Sequence, residues 1–358
     1  MACVSIQRPL AQAYTKIGDC MTHPSLFLAG AIGLVLIMGL HTTNAQAEEA
    51  SLQLCLGEAA DYSPVYVTQS FYAPVKEILA VFRLGTGESV EKLASTWIAI
   101  DVGKAAPPNF KIAEATLSLN GVKTGKFRYS QPNPLPVGRY RLKVTADGKP
   151  WQSVEFSVVA APKASAVSRP EDLLPLSNGQ VWTYAFVQEA GEGAKINLPG
   201  VTPDADGKLR AMVTMTVAET DAAGSRIESR RNNKLVFQEW WQLDNKGLSA
   251  TQRKTEEEFV VLTPPQIIWQ WPLTTPTIWE YHPHDKSYQQ TYRMWGPVPI
   301  KGLTGEAPGY VVLVEQPSPL VRMTVERHFL PGVGLVREVI ISALGAKIIN
   351  RQELVLKK

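Results

Sequence analysis

Cysteine is almost absent from this 358-residue chain, which has only Cys3, Cys20 and Cys55. The first two precede a long apolar run and are expected to be lost with it. Cys55 is then alone, which excludes an internal disulfide from the remainder. The core must hold by burial, and the length permits that. Histidine is equally scarce, five residues in all. Charged residues are 19% against 45% hydrophobic, a balance that excludes a disordered chain. The net charge of +3 becomes +2 once Arg8, Lys16 and Asp19 are removed. That is too near neutral for a general field toward nucleic acid or a membrane surface. Beyond the leader, no long segment carries a 3.6-residue apolar period, so helices are not expected. Catalytic motifs are missing too: no Gly-x-Ser-x-Gly elbow, no zinc-protease histidine pair and no phosphate-cradling loop. Gly332-Val333-Gly334 lacks the third glycine of a dinucleotide fingerprint and reads as a tight turn. The sequence therefore assigns no catalytic residue, cofactor or metal, and the chain reads as non-enzymatic.

What is present begins with Leu26–Leu40, 15 apolar or small residues without a charge. A spanning helix needs about 20 residues, whereas a secretory h-region has about 7–15. Small residues follow at Ala45 and Ala47. Residues 1–47 are accordingly expected to be an export signal cut after Ala47, with retention as an anchor as the alternative. Met21 is an alternative start. The expected location is periplasmic or secreted, with no integral membrane domain after cleavage.

Ala160 to Glu171 is rich in Ala, Ser and Pro and reads as a linker over residues 161–171. It separates a domain over 48–160 from one over 172–358. In the first domain, Tyr140, Leu142 and Val144 alternate with Arg139, Arg141 and Lys143, so one strand face is apolar and the other basic. Asp147-Gly148 supplies a tight turn, and Val154, Phe156 and Val158 return. This hairpin resembles the end of immunoglobulin-like and fibronectin-like modules of bacterial exported proteins. The resemblance spans about residues 65–159 and implies a β-sandwich, with Tyr140 as its corner tyrosine. Trp97 is its candidate strand-C tryptophan, although Ile98, Ile100 and Val102 occupy the opposite phase.

The second domain carries an internal correspondence. Pro175-Leu176 leads to Trp182-x-Tyr184, and Pro272-Leu273 leads to Trp279-x-Tyr281. Trp241 then precedes Gly247-Leu248, as Phe329 precedes Gly334-Leu335. Two related β units are expected, about 173–262 and 271–358. Strands are expected at 181–188, 209–220, 226–243 with a turn near Asn232-Asn233, 259–262, 278–282, 288–295, 310–315, 321–330 and 335–342. Charge on both faces of 321–330 marks an edge or a cavity-lining strand. The fold class is mainly β: an Ig-like sandwich plus a larger antiparallel domain, either a sandwich or a curved half-barrel.

Seven of nine tryptophans fall in the second domain. Core packing accounts for most of them. Trp269 and Trp271 share a strand phase and are the candidates for a flat ligand-binding surface. His282-Pro283-His284-Asp285 is the one histidine cluster; it reads as a hairpin loop, with a metal pair as the alternative. The basic face at Arg139, Arg141 and Lys143 reads as solvated, and Glu256-Glu257-Glu258 as a charged loop. The expected role is binding or docking in the cell envelope, to a partner protein, glycan or lipid. The alternatives are an envelope or glycan hydrolase with loop-borne acids, and a carrier of an apolar ligand. Nucleic acid is not an expected partner.

Overall fold

A computed structural model describes residues 49–357 apart from 60–61, 162–166, 192, 199, 223, 274–276, 319 and 346. The expected export segment, Cys3, Cys20 and the middle of the linker lie outside the described residues. Strand accounts for 68% of the described residues and helix for 2%, so sheets supply the core.

Residues 51–160 form two facing sheets. One has the order β2 (Pro64–Val67), β1 (Ser51–Glu58), β4 (Val75–Arg83), β7 (Thr124–Leu135). The other has the order β3 (Ser70–Ala73), β9 (Lys149–Ala160), β8 (Gly138–Ala146), β5 (Lys92–Asp101), β6 (Phe110–Ser118). All pairs are antiparallel except β3 with β9. The inward phase of β5 is Leu93, Ser95, Trp97 and Ala99. Small neighbours leave room for the indole, which packs on Tyr129 and Phe156 with centroids 5.6 and 6.1 Å away. Ile98 and Ile100 take the outer face, half-buried, whereas Val102, beyond a register shift at 99–101, joins the core, so the strand itself presents the tryptophan inward. Tyr140 stacks on Phe156 and donates its hydroxyl to the Pro136 carbonyl. Arg139 and Lys143 face solvent, and Arg141 bonds Glu155 at 2.9 Å.

The strands from 181 to 356 form one 12-stranded antiparallel sheet curled into a nearly closed barrel. Its first half runs β10 (Val181–Ala190), β11 (Leu209–Asp221), β12 (Gly224–Arg231), β13 (Lys234–Asp244), β14 (Gly247–Lys254), β15 (Phe259–Gln270). Its second half runs β16 (Thr277–Tyr281), β17 (Gln290–Gly302), β18 (Gly305–Gln316), β19 (Arg322–Leu330), β20 (Gly334–Leu344), β21 (Lys347–Leu356). The Trp-x-Tyr pairs sit on the first strand of each half, Trp241 and Phe329 on the fourth, and the Gly-Leu pairs open the fifth. β15 continues eight residues beyond the expected end at 262. β19 is a central strand, which corrects the edge expectation: Arg327 points inward, while Glu326 and His328 lie under the sandwich.

Residues from outside the strands pack into the barrel's buried cluster. Leu173 and Leu174, from the one-turn helix α1 (Pro170–Leu173) and its cap, enter the end where β10 begins. Gly334 has φ +90°, and a Cβ there would lie 2.4 Å from Leu174 Cδ1, so only glycine fits. Leu198, which follows the far end of β10, is buried in the same cluster.

The sandwich docks on the outer wall of the second half. Ala59 and Val65 join the barrel's buried cluster, and the Trp295 ring lies over Gly57. Tyr66, held at φ +52°, gives its N–H to Glu326 Oε2 at 3.1 Å, and its ring meets His328 edge-on at 5.1 Å. A bulky residue in that region is strained, so the docking contacts must hold it there. Burial pushes the Glu326 carboxyl up. The bond and charge of His328, the Tyr66 N–H and Arg337 together outweigh burial and hold it below the usual range. A lowered carboxylate stabilises the folded form above its unfolded pKa, about 4.3, and loses that contribution as pH falls through the folded value. Wild type should therefore lose more stability between about pH 5 and pH 3 than Glu326→Gln, measured by urea denaturation. Equal losses would show that the contact is not ionic.

Candidate functional site

The four residues singled out in the sequence line one feature without forming one site. That feature is the seam between β15 and β16, the two ends of the 12-stranded sheet. Trp269 and Trp271 stand at its upper end, and His282 and His284 follow β16 at its lower end. The expected open platform is not formed. Trp269 is wholly buried, opposite Leu248, and Trp271 is half-buried with its N–H on the Lys246 carbonyl at 2.8 Å. The reason is that β15 passes through Pro264-Pro265 and stays in the sheet, which carries Trp269 inward. His282 and His284 are exposed in the 282–289 loop, as a Pro-containing hairpin requires; His282 Nε2 lies 3.3 Å from Glu280. Among the described residues, no group of three or more His, Cys, Asp or Glu is placed to hold a metal.

The seam has a closed counterpart. The last strand of the second half, β21, pairs with the first strand of the first half, β10, through a continuous ladder from Tyr184↔Leu356 to Ala190↔Asn350. The equivalent junction, last strand of the first half with first strand of the second, is β15 with β16. There the strands form no ladder among the described residues, and a main-chain hydrogen bond runs from His284 N–H to the Thr263 carbonyl at 2.7 Å. The Trp279 indole adds a bond to the Ile267 carbonyl at 3.2 Å. Pro264 and Pro265 have no N–H to contribute, which is how prolines block an edge. Phe259, Val261 and Ile278 are exposed on the two seam strands, at 54%, 59% and 66%.

Inside, the barrel is apolar toward the α1 end and polar toward the Leu198 end. Glu239 on β13 bonds Arg253 directly opposite on β14 at 2.6 Å, and also receives the Trp241 indole N–H at 2.5 Å. Arg253 continues to Gln266, and Gln266 to the Tyr292 hydroxyl at 2.6 Å. Tyr292 donates to Gln290 at 2.9 Å, and Gln290 to Gln316 at 2.7 Å. A second pair, Arg327 on β19 and Glu338 opposite on β20, meets at 2.7 Å. The pairs occupy equivalent strands, fourth and fifth of each half, with their charges exchanged: Glu239 stands two residues before Trp241, and Arg327 two before Phe329. Burial pushes the Tyr292 hydroxyl up more than Arg327 and Arg253 pull it down, so it stays a neutral donor.

This network has loose ends. Gln188 Oε1, Gln352 Oε1, Glu338 Oε1 and Ser229 Oγ are buried with no hydrogen-bond partner in the protein. Each such group costs on the order of 1–3 kcal/mol, in a fold whose net stability is about 5–15 kcal/mol. Sequence reading missed these residues, though a signal existed. Glu239 and Arg327 sit in the inward phase of strands otherwise apolar in that phase. No family model, curated protein or solved structure matches the chain.

Removing one partner of a buried ion pair strands the other, at a cost of about 3–5 kcal/mol. Arg253→Met should show that loss in urea denaturation. Glu239→Leu combined with Arg253→Met should recover at least half of it. A double variant no more stable than the single would show that the two charges do not depend on each other.

Proposed function

We propose that this is an exported cell-envelope protein that binds a ligand without transforming it. The sandwich serves as a docking or spacing module, and the barrel as the binding domain. Export is inferred from Leu26–Leu40 and the small residues at Ala45 and Ala47. The immunoglobulin-like type of the sandwich is inferred from the strand order and the Tyr140 corner. A common origin for the barrel halves is inferred from the equivalent placement of their aromatic, Gly-Leu and ion-pair residues.

The observation that carries the binding role is the seam. A wall that is fully laddered on one side and almost unladdered at the equivalent place on the other has a designated point of opening. Strands that share few main-chain bonds separate at little free-energy cost. A hydrolase reading gains less support, because both inward carboxylates, Glu239 and Glu338, are engaged by guanidinium groups.

A disulfide across the seam tests this. Residues joined by a main-chain bond lie about 5 Å apart at Cα, within disulfide reach. Thr263→Cys with His284→Cys should form the link. Cys55 is buried, with its thiol pushed up to about 12 by burial and by Glu58, and should not compete. Envelope components crosslinked to the reduced double variant should be lost on oxidation and regained on reduction. N-terminal sequencing of the same material should begin at Glu48. Equal recovery in both redox states would remove the seam from the mechanism.

A further inference from the structure

We infer that the polar end of the barrel interior is a binding site for a small, neutral, polyhydroxylated molecule of the saccharide class. This rests on the barrel being a binding domain and specifies its ligand. The site is built on adjoining strands. Gln188 on β10 lies directly opposite Gln352 on β21, and Glu338 on β20 lies one inward step from Ile340, the other partner of Gln352. Directly opposite residues have Cβ atoms about 5 Å apart, and diagonal ones about 7–8 Å. The three side chains therefore share one small region. They are 0%, 6% and 1% exposed. Each presents an oxygen that accepts nothing from the protein. On β12, two strands from β10 in the sheet, the Ser229 hydroxyl is likewise unpartnered.

The chemistry of these groups selects the ligand. Three unanswered acceptors require hydrogen-bond donors. An ammonium group would supply them, but it would meet Arg327, whose guanidinium is fixed beside Glu338 at 2.7 Å. A carboxylate or phosphate would face the acceptor oxygens themselves. An aliphatic chain would leave every acceptor unanswered. The two ion pairs bring two positive and two negative charges inward, so no net charge calls for a charged ligand. A hydroxyl group both donates and accepts, which is what a lining of carboxamides, carboxylate and guanidinium can answer. A molecule with several hydroxyls satisfies several such groups together, and a site built this way rejects analogues that lack them.

The purified full chain would be tested by thermal shift and calorimetry against cellobiose, N,N′-diacetylchitobiose and trehalose, with decanoate and spermidine as apolar and cationic probes. Small molecules released on denaturing the protein from its envelope fraction would be identified by mass spectrometry. The expected result is a rise in Tm with a neutral sugar and release of a sugar from the native material. Gln352→Met should weaken sugar binding about tenfold or more, while its own Tm without ligand is unchanged or higher, because an unanswered buried oxygen has been removed; Gln188 is kept, since its Nε2 donates to Asn350 Oδ1 at 3.0 Å. Ser229→Val provides a milder variant with the same two readouts. A response only to decanoate or spermidine would overturn the assignment. So would a wild type that binds and releases no sugar while the methionine variant loses stability, since the interior would then be a core completed by water. The seam reading fails separately: sugar bound equally well by the oxidised Thr263→Cys/His284→Cys protein would leave the ligand class standing and remove the route.

Discussion

A charge in the inward phase of a β-strand has to meet its partner or the strand cannot sit where it does. Slipping one residue turns the charge outward along with every apolar neighbour, and slipping two leaves it buried and unpaired. Glu239 with Arg253, and Arg327 with Glu338, impose this condition once in each half of the barrel. Long antiparallel meanders with similar apolar faces have many near-equivalent registers. The two pairs remove that freedom at the centre of each half. The exchanged polarity adds a further restriction, because either glutamate placed at the equivalent position of the other half, where an arginine stands, would face the other glutamate.

The same inward polarity decided how much of the protein was legible in its sequence. The sandwich hairpin around Tyr140 reads cleanly because its core phase is wholly apolar. β10, β11 and β19 read for the same reason over most of their length. β14 and β21 escaped notice: Arg253 on one, and Asn350 and Gln352 on the other, break the period-2 apolar pattern by which a strand is recognised. β15 was cut short at Leu262 because Pro264-Pro265 reads as a stop. Both prolines are tolerated because β15 ends a sheet and has no ladder to supply on that side. The strands least visible in the sequence are therefore those that line the polar interior or border the seam.

The candidate surface at Trp269 and Trp271 illustrates the same limit. Their shared phase was legible, but the direction that phase faces depends on which way the sheet curls, and that is set by strands far away in the chain. His282 and His284 were legible as a loop. Their place beside Thr263 was not, since the contact joins segments that no local pattern relates.

The ladder between β10 and β21 has a consequence for assembly. It joins Tyr184–Ala190 to Asn350–Leu356, so the first strand of the barrel waits for nearly the last residues of the chain. Until then the growing sheet has two bare edges and a half-solvated interior. Pairings this remote in sequence form slowly and leave the intermediate prone to association. All the sandwich strands end by Ala160, so that module can complete itself during the interval, while the unclosed sheet needs shielding until β21 is in place.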